Sequence, residues 1–191
     1  MKNSKHSSRN LLHSIQPNEQ QILTSKEGIS LARGLKQKLR NHEAITDDTF
    51  DLIFSPEVRN HSLIHWTPLA VALKAAELMK EMKVERLLDV GSGCGKFCLI
   101  NAILGEARVT GVEQRDFLSL SAKKAKNSFQ LENLNFIHGS AFDLSWKEFD
   151  ALYFFNPFCE QKTPERRMKN DLQMNDAIYS NYLQLTHDRL K

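Results

Sequence analysis

Two periodicities divide the chain, and the change from one to the other falls at Arg86. Before it, apolar residues recur at helical spacing. Leu31, Leu35 and Leu39 mark a weak amphipathic helix over residues 18–40, diluted by Gly28 and Gly34. The polar stretch ahead of it, ending in Pro17, reads as a loose tail, and residues 44–66 show no regular period. Thr67 followed by Pro68 supplies an N-cap and a favoured first helical residue, and Leu69, Leu73, Ala76 and Met79 carry that helix to about residue 83. From Arg86 onward, short apolar runs alternate with helical patterns. Strands are predicted at 86–90, 108–112, 134–138 and 150–155. Helices are predicted at 95–104 and 116–130, the second with Lys123, Lys124 and Lys126 outside, and a last helical pattern fills 165–190. Alternation at this spacing implies right-handed crossovers and an α/β fold with a doubly wound parallel sheet.

This pattern divides the chain into a helical N-terminal extension, residues 1–66, and an α/β domain, residues 67–191. The fourth strand lies at an exposed edge unless a partner or second copy covers it. At 191 residues, with 41% hydrophobic and 26% charged positions, the sequence is that of an ordinary globular protein rather than a disordered or fibrous one. It has neither a membrane-length apolar run nor the apolar stretch of a signal peptide, which points to the cytoplasm. Cys94, Cys98 and Cys159 lack metal-ligand spacing and read as reduced, buried thiols; no metal is expected. The net charge of +3 is uneven, because residues 1–42 carry +6 and the remainder −3. Such a basic arm either touches nucleic acid or forms a solvated helical face, and the lack of interleaved aromatics favours the second.

The segment from Leu87 to Lys96 carries the chemistry. Three glycines, Gly91, Gly93 and Gly95, follow a strand directly and open a helix, so backbone can approach a ligand closely with helix N–H groups aimed at it. Val90 and Phe97 stand where a phosphate-cradling P-loop needs Gly and Ser or Thr, and Lys96 stands where a dinucleotide fingerprint wants its third glycine. Gly111-Val112-Glu113 ends the second strand with an acid 22 positions after Gly91, near the spacing at which a carboxylate takes both hydroxyls of a ribose.

With Asp89 ahead of the glycines, this arrangement resembles the class I, Rossmann-like S-adenosylmethionine-dependent methyltransferases over residues 67–158, about half of the chain. The resemblance implies a seven-stranded sheet of which only four strands are found here, so that the domain is C-terminally incomplete: either the chain is a piece of a longer one or a partner completes the sheet. The resemblance also implies S-adenosyl-L-methionine as cofactor. It gives Asp89 the amino group of the methionine moiety, lines the ligand with Gly91, Ser92, Gly93 and Gly95, sets Glu113 on the ribose and Thr67 near the methionine carboxylate. Ser140 stands where the family has an acid for the adenine amino group, so Ala141 N–H and Phe142 become the expected adenine contacts, with Asp143 either a contact or a turn cap. Asn156-Pro157-Phe158 resembles the Asn-Pro-Pro-aromatic element of amino-group methyltransferases, in which the Asn oxygen and a backbone carbonyl receive the target amine. This implies a nitrogen acceptor, its identity open among nucleic acid, protein and small molecules, although one proline stands where that element has two. A glycine-loop pattern of this kind is also similar to that of the non-SET histone-lysine methyltransferases. His61, His65 and Trp66 either wall the site or pack structurally. Two other readings stay open: a nonenzymatic binding or scaffold protein on a decayed methyltransferase fold, and an NAD-binding oxidoreductase.

Overall fold

The computed structural model describes residues 26–60, 66–157 and 175–191. Helix α1 (Lys26–Arg40) buries Gly28, Ala32, Leu35 and Leu39 on one stripe, with Glu27 in its first turn and Lys38 and Arg40 in its last, as the helix dipole prefers. Two short helices, α2 (Asp47–Asp51) and α3 (Pro56–Arg59), occupy the stretch expected to be irregular. Thr46 caps the first by accepting the Thr49 N–H, and Pro56 opens the second; one turn is too short to show a period.

Helix α4 (Leu69–Glu81) begins one residue later than the sequence suggests. Pro68, extended at ψ 145°, is its N-cap, and Thr67 does not cap it. The Thr67 hydroxyl pairs instead with the Tyr153 hydroxyl at 3.1 Å, while the Leu69 N–H is taken by Asp47 Oδ1 at 2.8 Å. The α/β portion then runs β1 (Arg86–Val90), α5 (Lys96–Leu104), β2 (Arg108–Glu113), α6 (Asp116–Phe129), β3 (Leu134–His138) and β4 (Ala151–Phe154). Helix α7 (Asp176–Arg189) is the described part of the last helical pattern; the expectation for residues 165–174 lies outside the described residues, as does that for 18–25.

All strand pairs are parallel and the order is β3-β2-β1-β4. In register, Asp89 lies between Gly111 on one neighbour and Tyr153 on the other. One face of the sheet, with Leu87, Val109 and Leu134, packs against α1, α4, α5 and α6 in a core that also takes Ala32, Leu35, Phe50 and Ile53, so residues 26–60 and the sheet share one apolar interior. The other face, with Leu88, Val90 and Val112, packs on Ala141 and Trp146 from two 3₁₀ turns, Ala141–Asp143 and Trp146–Glu148. Helix α7 buries no residue and is fastened near those turns by Tyr182 and Arg189. Among the described residues no helix is long and apolar enough to cross a membrane.

Candidate functional site

In a parallel sheet the strand carboxyl ends are where backbone diverges and ligands lie. Here β1 ends in Val90-Gly91, and the turn that follows is built from left-handed backbone, with Gly93 at φ +57°. A Cβ on Gly93 would meet nothing within 4 Å, so its bare face opens outward, whereas a Cβ on Gly91 would stand 2.8 Å from the Pro157 Cβ. That close approach brings the turn after β4 against the glycine turn, and with it Asn156, which is exposed and itself left-handed at φ +49°.

Glu113 at the end of β2 reaches across to the same turn. Its Oε2 accepts the Gly93 N–H at 2.9 Å and its Oε1 accepts the Arg115 N–H at 2.8 Å. A carboxylate has about four lone-pair sites, so one oriented by two backbone bonds can still accept the hydroxyls of a diol.

Asp89 is 3% exposed. Its Oδ2 accepts the Cys98 thiol at 3.1 Å. Burial pushes its carboxyl up to about 7, the thiol pulling the other way and the charge of Glu113 adding to the rise. Burial and the neighbouring Asp89 in turn push the Cys98 thiol well above its ordinary value. The Tyr153 phenol, stacked on Phe97 with ring centroids 3.5 Å apart, is raised by burial, against the pull of Thr67 and with the help of Asp89.

A cleft beside these groups is lined by Trp66, Thr67, Asp89, the glycine turn, Lys96 and Phe155. The Ser92 Oγ there is buried and has no partner among the described residues. An acid hidden with no cation beside it among the described residues, an orphaned hydroxyl and a turn open at Gly93 are the features an ammonium-bearing, hydrogen-bonding ligand would complete, and the residues present fit an adenosyl amino-acid cofactor on that basis.

Beyond β3, Ser140 caps the 3₁₀ turn by accepting the Phe142 N–H at 3.2 Å. Asp143 lies inside that turn, and the N-cap of the next one, Trp146–Glu148, is Ser145 with no side-chain cap, so Asp143 does not cap it. Ala141 is buried and its carbonyl accepts the Trp146 indole N–H, while the Phe142 ring stands between Trp146 and Tyr182 at 5.7 and 5.4 Å. The structure thus gathers Thr67, Asp89, Gly91, Ser92, Gly93, Gly95, Glu113, Asn156 and Pro157 at one end of the sheet, and places Ala141 and Phe142 past β3. Phe158, His61 and His65 lie outside the described residues.

Sequence reasoning missed Lys96. It opens α5 yet is 3% exposed, and its ammonium contacts Asp47 Oδ1 at 2.5 Å and Asp51 Oδ1 at 2.7 Å, 5.9 Å from the Phe50 ring and 5.8 Å from the Trp66 ring. A cation at a helix N-terminus opposes the dipole, so buried there it requires anions. Burial would raise the Asp47 carboxyl, but Lys96 and the Leu69 N–H outweigh it and hold it below the ordinary value; at Asp51 burial wins and the carboxyl is raised. The signal available in the sequence was the i, i+4 pair of acids on one helical face.

Known proteins agree with this architecture. No curated protein matches the sequence. An O-methyltransferase from Bacillus cereus, solved in complex with S-adenosylhomocysteine, superposes with a TM-score of 0.50 at 14% identity, over 70% of this chain and 65% of that one. An RNA methyltransferase from Salinibacter ruber, in complex with S-adenosyl-L-homocysteine, is 30% identical over 52% of this chain and 67% of its own, with a TM-score of 0.42. Three of the solved chains it matches are spanned over 58%, 65% and 36% of their lengths. A family model described as a methyltransferase domain matches residues 80–190. The chain belongs to the class I, Rossmann-like family of S-adenosylmethionine-dependent methyltransferases.

Proposed function

We propose that this protein binds S-adenosyl-L-methionine across the carboxyl ends of β1 and β2 and transfers its methyl group to a nitrogen nucleophile. The observation that carries the reading is the convergence of two acids on one glycine turn: Asp89, buried with no cation beside it among the described residues, and Glu113, bonded to the Gly93 N–H. Asp89 takes the ammonium of the amino-acid moiety, Glu113 the ribose hydroxyls, and the Ser92 hydroxyl and Thr67 complete the polar lining. The bound cofactor supplies an electrophilic methyl group on a sulfonium. The protein contributes position and exclusion of water. Asn156 Oδ1 and the Pro157 carbonyl accept hydrogens of an incoming amine, which keeps its lone pair free for attack. With the cofactor bound, transfer of the methyl group to nitrogen would leave the bonding electrons on sulfur, and the proton the amine sheds would pass to water. An amide and a carbonyl cannot remove a proton from a carbon or hydroxyl acceptor, which is what favours nitrogen.

In this reading residues 67–191 are the cofactor-binding domain and residues 1–66 a helical extension over it. The buried Cys94 and Cys98, both free, suit a reducing cytoplasm. Nucleic acid is a candidate acceptor through the basic arm, of which Lys26, Arg33 and Lys38 are exposed on α1. Two of that helix's cations are already structural: Lys36 donates to the Phe129 carbonyl and Arg40 to the Ile103 carbonyl, at the ends of α6 and α5. The deciding experiment is titration calorimetry with S-adenosylhomocysteine and with NAD. Binding of the first alone supports the proposal. Binding of NAD alone, or of neither at millimolar ligand, overturns it in favour of a dehydrogenase or a scaffold.

A further inference from the structure

The glycine turn, Glu113 and Asn156 stand at the carboxyl ends of the strands. At the opposite, amino ends a second cleft of about 620 Å³ opens between the close of α4 and the close of α5, a volume in the range of small-molecule sites. Strands β1 and β2 begin there in register, with Arg86 beside Arg108. Arg86 pairs with Asp150 at 3.1 Å. Arg108, Lys80 and Lys83 also line the cleft and have no ion-pair partner among the described residues, and the same holds for the Glu85 and Glu106 carboxylates of the lining. Like charges gathered around one cleft repel unless an anion sits among them. Lys83 is kept there by left-handed backbone: α4 closes with the Val84 N–H on the Met79 carbonyl at 3.0 Å, and Lys83, at φ +53°, occupies the position that favours glycine. The buried polar group of the lining is Asn101, 3% exposed. Its Nδ2 donates to the Phe97 carbonyl at 3.0 Å, and its Oδ1 has no partner among the described residues.

We propose that this cleft is a second ligand site, for a small phosphorylated polyol such as a sugar phosphate, separate from the adenosyl site. The lining divides by chemistry. Lys80, Lys83 and Arg108 together outnumber the single charge of a carboxylate and match a phosphate dianion, to which an arginine fork is also fitted in shape. The Glu85 and Glu106 carboxylates accept hydroxyl hydrogens, as does the Asn101 oxygen. An amide oxygen cannot receive a bare phosphate oxygen, so the donor that completes Asn101 is a hydroxyl of the same ligand. A nucleic-acid backbone carries a charge at every step, which two acids in the lining oppose. The site needs neither the cofactor nor the methyl acceptor, so it stands or falls apart from the function proposed above.

The test is titration calorimetry on the full chain with ribose 5-phosphate, inorganic phosphate and ribose, with and without saturating S-adenosylhomocysteine. Ribose 5-phosphate should bind about five- to tenfold more tightly than phosphate, the range for one neutral hydrogen bond, and ribose alone should give no heat. Lys83→Gln combined with Arg108→Gln, both at exposed positions, should weaken ribose 5-phosphate at least about tenfold, the low end for charged hydrogen bonds. Asn101→Leu should remove the preference over phosphate and leave phosphate affinity unchanged, with circular dichroism reporting the fold; the wild-type ratio of the two ligands reads the hydroxyl contact even if that variant unfolds. Four results overturn the site: no binding at millimolar ribose 5-phosphate, equal binding of ribose, an affinity unmoved by the paired Lys83 and Arg108 exchange, or displacement by S-adenosylhomocysteine. Tighter binding of a 5′-phosphorylated RNA trinucleotide overturns the small-molecule occupant.

Discussion

Replacement of Asp89 by asparagine tests whether the site keeps a strained carboxylate for its ligand. With the folded-state value pushed up to about 7, the folded protein holds this proton after the unfolded chain, whose carboxyl ionises near 4, has lost it. Stability therefore falls as pH rises from about 4 to 7 and levels off above 7, where both states are ionised. The amide that replaces the acid in the variant stays neutral throughout. From pH 5 to pH 8 the variant should gain on the wild type by about 2 to 3 kcal/mol, since each pH unit below the folded value is worth about 1.4 kcal/mol. For a protein of this size that gain corresponds to a relative rise in Tm of about 5 to 10 °C, read by differential scanning calorimetry at the two pH values. The same substitution should weaken S-adenosylhomocysteine at pH 8 by about 10- to 100-fold, as a charged hydrogen bond to the ligand ammonium is lost. A stability difference that is flat between pH 5 and 8 refutes the perturbed acid. Undiminished ligand affinity in a folded variant refutes its partner.

Three further outcomes follow from the geometry. Glu113→Ala should cost about 1.5 to 3 kcal/mol of adenosyl-ligand affinity and leave the fold intact by circular dichroism, because it removes charged hydrogen bonds at the surface of the site; unchanged affinity would take Glu113 out of the ribose contact. Asn156→Ala should keep S-adenosylhomocysteine affinity within a few-fold and lower methyl transfer by about a hundredfold, the scale of one lost transition-state contact; equal loss of cofactor affinity would make Asn156 part of the cofactor pocket. If the basic arm contacts RNA, binding measured by fluorescence anisotropy should fall steeply between about 50 and 200 mM salt and vanish on deletion of residues 1–42; a salt-independent signal would assign the arm's charges to solvation and to the helix ends it already caps.

The strands were legible because a parallel strand buried on both sides is a short apolar run between turn residues, and β1 and β3 lie where those runs do. The strand-end acids were legible for the same reason: they interrupt apolar runs at fixed distances from the glycines. What the chain does with groups far apart in sequence was not. Thr67 looks like a helix cap until Tyr153, 86 positions later, draws its hydroxyl away and Asp47 takes the N–H it would have capped. Cys98 looks like an inert core thiol, yet it donates to the Asp89 carboxylate. In both cases local propensity was overruled by a partner supplied by tertiary packing, and no period or spacing encodes that.

The buried ammonium of Lys96 bears on where this protein can be cut. The family match begins at residue 80 and the helix before it at Leu69, so an expression boundary drawn from similarity would fall after Asp47 and Asp51. Such a fragment would strip from Lys96 both acids and the Phe50 and Trp66 rings beside it, opening the mouth of α5 to water and leaving there a cation that opposes the helix dipole. It would also leave the start of α4 without its acceptor and expose the apolar surface that Phe50 and Ile53 cover. The smallest autonomous unit is therefore longer at its amino end than homology alone would draw it.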